Sequence, residues 1–275
     1  MTDPTLVAVH ALKGQKIGIS VSDSADLGRL GLTKRHCELA VAEIARAILL
    51  TGGSVIYGGR IHPEGFTQII MDEVRRYADG RHSLTICLAE SEHRDLTEDE
   101  LQAIEGRLGV AATLVCLDSA GNELPLRRRP APAEPVDPAQ ALTALRQYIT
   151  EKTDARVIVG GQLTGYQGVM PGVIEEALLS VRNGQPLYIA AGFGGAAAAI
   201  ARTLDHELMN WAPVDLPVGA QSAAWALQEL SKAAKDNPMG NDGLSSHQRA
   251  QLRATHRPAD IAALVVYGLA RRRQQ

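Results

Sequence analysis

Glycine gathers at four places where an apolar run gives way to a polar one, and this recurrence is the strongest chemical signal in the sequence. The first place spans residues 20–31 and holds Ser22, Asp23, Ser24 and Gly28. The second is Tyr57-Gly58-Gly59-Arg60, and the third runs through residues 160–172, with Gly160, Gly161, Thr164, Gly168, Pro171 and Gly172. The fourth is Ala191-Gly192-Phe193-Gly194-Gly195. Where such a turn opens a helix, unpaired backbone N–H groups and the helix dipole favour an anion, and a missing Cβ lets phosphate oxygens approach the backbone. Four such turns at strand ends predict one shared anion-binding cleft.

Side chains around these turns add to that chemistry. Arg60 offers a planar fork that suits a phosphate. Pro171 is expected as the first helical residue, where its missing N–H costs nothing. Glu175 and Glu176 follow within the first turns of the same helix. Each can complement the helix dipole, or face the cleft to bind a ribose hydroxyl or act as a general acid/base. His36 and His62 read as ordinary polar residues of a helix and a loop. No His/Cys/Asp group has metal-ligand spacing, and no Ser-centred nucleophile elbow is present. The first loop lacks G-x-G-x-x-G, the second strand ends in glycine rather than a carboxylate, and no Walker A lysine motif occurs. NAD-dependent dehydrogenase and P-loop ATPase functions are therefore poor fits, and no cofactor is implied.

The elements that must position these turns alternate regularly. Strands are expected at residues 16–21, 54–57, 84–88, 113–117, 156–159 and 186–190. Helices are expected after Thr33 as N-cap, at 66–77, from the capping-box sequence Thr97-Glu98-Asp99-Glu100, and at 138–149, 171–181 and 194–204. Apolar strands alternating with helices predict an α/β, Rossmann-like, doubly wound and mainly parallel sheet with helices on both faces. Residues 118–138, rich in Pro and Arg, read as a surface excursion within one domain. Residues 220–235 and 258–273 read as further helices, separated by a flexible stretch over 236–246, and no repeat of solenoid length occurs.

Bulk properties bound the partners. The 275 residues carry a formal net charge of −3, which gives no electrostatic reason to expect nucleic acid. Arg271-Arg272-Arg273 reads as a solvated helix end. Cys37, Cys87 and Cys116 are odd in number and without ligand spacing, so they read as reduced, mostly buried thiols. With no signal-peptide pattern and no apolar run long enough to span a bilayer, the expectation is a cytoplasmic protein without a membrane partner.

The Tyr57-Gly58-Gly59 turn and the segment 160–176 resemble the SLOG superfamily, the Rossmann-like group that unites the DNA-processing protein DprA with the "lonely guy" (LOG) phosphoribohydrolases. The similarity covers about residues 14–205. LOG enzymes carry P-G-G-x-G-T-x-x-E at this strand-to-helix turn, where the loop holds phosphate and the glutamate serves catalysis. On that pattern Gly168 matches the first glycine and Glu175 the glutamate. Gln167, Val169, Pro171 and Gly172 replace the proline, the second glycine, the third glycine and the threonine. With Pro-Gly-Val-Ile-Glu-Glu-Ala and the later Ala-Gly-Phe-Gly-Gly, the chain looks closer to the uncharacterised SLOG clusters, which are thought to sense nucleotide derivatives in bacterial conflict systems.

The resemblance implies a nucleotide-binding domain over 1–205 with a helical C-terminal extension, 206–275, packed on it. It also implies a homodimer or homo-oligomer, as LOG-like proteins commonly form. Its leading implication is a sensor of a nucleotide or ADP-ribose-like ligand. The alternative is hydrolysis of a nucleoside 5′-monophosphate at its N-glycosidic bond, with Glu175 or Glu176 stabilising charge on the ribose. A third is a scaffold whose cleft is vestigial.

Overall fold

The computed structural model describes residues 7–61, 65–78, 83–127, 135–209, 211, 216–237 and 240–272. His62 and Arg273 lie outside the described residues. Among the described residues there are seven strands, all but β5 on the short apolar runs: β1 (Lys16–Ser22), β2 (Ser54–Gly58), β3 (Leu84–Leu88), β4 (Ala112–Leu117), β5 (Glu123–Leu124), β6 (Ala155–Gly160) and β7 (Leu187–Ala190). They make one sheet in the order β5-β4-β3-β2-β1-β6-β7. All neighbours are parallel except β4 and β5, which pair antiparallel. The fold is the expected Rossmann-like α/β class.

Helices cover both faces. On one lie α1 (Lys34–Leu50), α2 (Phe66–Tyr77), α4 (Glu98–Leu108) and α10 (Pro258–Arg272), with α1 packed against both α2 and α10. On the other lie α5 (Pro138–Lys152), α6 (Gly172–Arg182), α7 (Gly195–Leu204) and α8 (Gln221–Asp236). The short α3 (Glu90–His93) follows β3, and α9 (Ser246–Ala254) packs beside β7. Strand alternation builds these two faces. Ile17, Ile19, Val55, Tyr57, Val157 and Val159 point into the large core under α1, whereas Ile56 and Ile158 point to the opposite side. No described helix is long and apolar enough to cross a membrane.

Local signals explain most helix starts. Thr33 is the N-cap of α1, and its backbone N–H donates to His36 Nδ1 at 3.0 Å, which gives His36 a structural task. Thr97 and Glu100 form a reciprocal capping box on α4. Two expectations are corrected. Pro171 is the N-cap of α6 rather than its first helical residue, and its carbonyl accepts from the backbone N–H groups of Ile174 and Glu175. Of the stretch expected to be flexible over 236–246, Asp236 ends α8 and Ser246 opens the unexpected helix α9, capped by Ser245 together with Gln248, while residues 238–239 lie outside the described residues.

Opposite faces of the sheet are unlike in one respect that matters below. The core under α1 is continuous, but the other face is divided into two apolar clusters, one around α6, α7 and α8 and one around α5. Between them the buried Arg156, near the start of β6, gathers the hydroxyls of Thr150 of α5, Ser180 of α6 and Ser20 of β1.

Candidate functional site

The strand order reverses at β1, which has β2 on one side and β6 on the other. Ligands in open parallel sheets collect outside the carboxyl ends of the strands at such a point. The register sets Ser22, the last residue of β1, opposite Gly160, the last of β6. A cavity of about 390 Å³ opens here. Its walls are Ser20 and Ser22 of β1, the Tyr57-Gly58-Gly59-Arg60 turn, and Cys87 of β3. From the helical layer come Leu142, Leu145 and Arg146 of α5, with Gly172, Val173 and Glu176 of α6. Gln162, Tyr166 and Gln167 of the β6–α6 loop complete it.

Two arginine–glutamate pairs support this cavity from below and from one side. Arg156 of β6 is only 1% exposed. Its Nε, Nη1 and Nη2 donate to Ser180, Ser20 and Thr150 hydroxyls at 2.8, 3.0 and 2.9 Å. Its Nη1 also lies 3.6 Å from Glu176 Oε2. Burial pulls the guanidinium below its ordinary pKa, while the Glu176 charge opposes that shift. Glu176 thus sits in the cavity wall on a charge-compensated base.

Glu175 turns the other way. It is 4% exposed, accepts from the Thr143 hydroxyl at 2.6 Å, and is ion-paired and hydrogen-bonded to Arg146. Both its oxygens are therefore committed to α5. Arg146 in turn lies over the start of α6: a Cβ on Gly172 would fall 2.5 Å from its Nη2. The absent side chain at Gly172 lets this guanidinium and the N-terminus of α6 share one corner of the cavity. Arg146 Nη1 is engaged by Glu175, so what this corner offers an anion is the helix N-terminus and the Nη2 edge of the guanidinium.

The rim has its own clamp. Arg60 donates from Nε to Glu92 at 3.0 Å and from Nη2 to Gln167 at 2.6 Å, joining α3 to the β6–α6 loop across the cavity mouth. Tyr57 is buried, and burial followed by the Glu176 charge raises its phenol above the ordinary tyrosine range. Burial, with the charges of Glu123 and Cys116 behind it, pushes the Cys87 thiol up to about 12, so it is a poor nucleophile at neutral pH. Among the described residues no group of His, Cys, Asp and Glu could hold a metal ion.

A second cavity, of about 540 Å³, lies on the far side of Gln162, which lines both. Asp23, Ser24, Gly161 and Thr164 line this one, with Asp26, Ala198, Ala199 and Leu216. The helix α7 points its N-terminus here, but the protein fills that terminus itself. Asp26 Oδ2 accepts from the Gly195 N–H at 2.7 Å, and the Gly161 carbonyl accepts from the Ala196 N–H at 2.9 Å.

The four glycine turns therefore do not share one cleft. Ser22, Gly58, Gly59, Arg60, Gly172 and Glu176 meet in the first cavity, whereas Asp23, Ser24, Gly161 and Thr164 face the second. Gly160, Gly168, Pro171, Glu175, Gly192, Phe193 and Gly194 line neither. Gly160 packs under the Ser22 carbonyl, and Gly168 lies against Arg146. Phe193 is fully buried, and a Cβ on Gly194 would meet Asp26. Gly192 owes its small size to α9, because a Cβ there would fall 2.3 Å from the Thr255 carbonyl oxygen. Gly192→Ala is expected to cost about 1–3 kcal/mol through overpacking. A denaturation midpoint equal to the parent protein's would contradict that packing role.

Arg146, Tyr166 and Gln162 line the first cavity without having been singled out from the sequence, and Arg156 supports Glu176 there. Arg146 stands three positions after Thr143 on the face of α5 that meets α6. That pair was the available signal.

The family model described as SLOG cluster2 matches residues 11–255. No curated protein and no solved structure matches the chain.

Proposed function

The chain belongs to the SLOG cluster2 family, and from that membership together with the cleft we propose that it binds a nucleotide or nucleotide derivative in the first cavity. The observation that carries this reading is the anion-favouring corner at the β1/β6 switch point, where Arg146 lies against the N-terminus of α6 beside Gly172. A phosphate belongs in that corner, with the Gly58-Gly59 turn facing it and Arg60 at the rim. Leu142, Leu145 and Tyr166 give an apolar surface suited to a base. In this reading Ser22 and Glu176, which line the cavity, accept from ribose hydroxyls.

Wild-type protein is expected to melt at higher temperature with nucleoside phosphates but not with the matching nucleosides. At about a hundredfold excess over Kd the stabilisation is about 2.7 kcal/mol. Absence of stabilisation by every phosphate-bearing ligand in a panel of nucleotides and ADP-ribose derivatives would overturn the proposal. Glu176→Gln is expected to weaken binding about tenfold by replacing a charged acceptor with a neutral amide.

A second reading is favoured by one observation: Glu176, not Glu175, has its carboxylate in the cavity wall. If the bound nucleotide is hydrolysed, Glu176 stabilises positive charge on the ribose as the bond from C1′ to the base nitrogen breaks. Water then adds to C1′, and its proton leaves with the base. Chromatography of released base separates the readings. Release that persists in Glu175→Gln and vanishes in Glu176→Gln establishes hydrolysis, and stabilisation without release leaves binding alone.

A further inference from the structure

The two cavities differ in what they can hold, and that difference narrows the ligand. In the first, the N-terminus of α6 lies beside Arg146 and Arg60 stands at the mouth, each guanidinium also paired with one glutamate. In the second, Asp26 and the Gly161 carbonyl already accept from the first N–H groups of α7. A phosphate placed there finds those donors engaged and meets the carboxylates of Asp23 and Asp26. Arg29 offsets Asp26 in part, at 3.2 Å, through a surface pair. The remaining walls include the apolar side chains of Leu163, Ala198, Ala199, Leu216 and Pro217. Such a pocket suits a flat, uncharged or cationic group whose N–H or O–H donors face carboxylates, and its 540 Å³ is the size of an ordinary ligand site.

Continuity joins the pockets. Ser22 and Asp23 are consecutive yet line different cavities, and on the neighbouring strand end Gln162, next to Gly161, lines both. Consecutive Cα atoms stand about 3.8 Å apart, so the two pockets adjoin across a short stretch of backbone. The backbone N–H of Gln162 donates to Ser22 Oγ at 3.1 Å, which pins the boundary while the Gln162 side chain stays exposed.

We propose that the ligand is two-headed: a nucleotide in the first cavity, joined through its phosphates to a second nucleoside in the pocket bounded by Asp23, Asp26 and Ala199. This rests on the nucleotide reading of the first cavity and extends it from mononucleotides to dinucleoside phosphates. The second head carries no terminal phosphate.

Calorimetry with ADP and diadenosine diphosphate tests it, since the latter is the same on both sides of its bridge. Diadenosine diphosphate is expected to bind at least about tenfold more tightly than ADP, a difference of about 1.4 kcal/mol. Ala199→Phe fills the second cavity from α7 and is expected to remove that advantage while the ADP affinity stays within about twofold. Ala199→Leu serves the same purpose should the phenylalanine variant melt early. Equal affinities in the wild-type protein, or an advantage that survives both folded variants, overturn the two-headed ligand and leave nucleotide binding standing. Failure of both compounds to bind overturns this inference, and failure of the whole nucleotide panel overturns the nucleotide reading beneath it.

Discussion

Arg156→Met is expected to destabilise the fold by about 3–5 kcal/mol, the range for removing one partner from a buried ionic network. The substitution keeps most of the side-chain volume, so packing loss is small and the polar consequences dominate. Ser20, Thr150 and Ser180 hydroxyls each lose the donor they accept from, in a region closed to water. Glu176 loses the positive charge 3.6 Å from its carboxylate. Denaturant unfolding measures the effect directly. A loss below about 1 kcal/mol would mean that the three hydroxyls find other partners and that the network contributes little. Arg156→Lys should recover only part of the stability, since an ammonium cannot reproduce the planar fork that reaches all three hydroxyls at once.

Arg146→Met is expected to reduce affinity for a phosphate-bearing ligand by about a hundredfold or more, in line with about 2–5 kcal/mol for truncating one partner of a buried charge pair. The difficulty is that Arg146 also holds Glu175, so the single variant leaves a buried carboxylate uncompensated. The double variant Arg146→Met/Glu175→Leu separates the two effects. Replacing a buried ion pair with apolar residues of similar size is often neutral for stability. The double variant is therefore expected to melt close to the wild-type protein and still fail to bind nucleotide. Recovery of binding along with stability would show that Arg146 acts only by holding Glu175, and the anion corner would then rest on the helix terminus alone.

The sheet was legible because its signals are local. Apolar runs such as residues 54–57 and 84–88 have to be buried on both faces, and Thr33 and Thr97 mark helix starts by their own chemistry. Helix α9 escaped because its composition is polar and its helical side-chain face was judged by apolar periodicity. The capping pair of Ser245 with Gln248 was the overlooked signal. The two-residue β5 is too short to carry any pattern of its own, and it exists through its antiparallel pairing with β4.

The site was legible in its parts and not in its grouping. The glycine turns at the ends of β1, β2 and β6 do border cavities at the switch point. The turn at Ala191-Gly192-Phe193-Gly194-Gly195 has the same composition, yet Gly192 and Gly194 admit the Thr255 backbone and the Asp26 carboxylate, and of its residues Gly195 alone borders a cavity among those described. Glycine signals only that something approaches closely; what approaches belongs to a distant part of the chain.

The same limit applies to the adjacent glutamates. From the sequence, Glu175 and Glu176 were equivalent carboxylates in the first turns of a helix, and the family motif pointed at Glu175. Successive helical residues project about 100° apart, so one residue step chooses between the α5 face and the cavity. Thr143 and Arg146 take Glu175, Arg156 supports Glu176, and none of these partners is near in sequence. By itself, then, the chain's amino-acid order determined the Rossmann-like class, the strand ends and the demand for close approach at its glycines, because those depend on local burial and backbone geometry. Which helix terminus the protein caps with its own carboxylate, and which glutamate lines the cavity, was decided only by tertiary packing, because each depends on charges brought in from elsewhere in the chain.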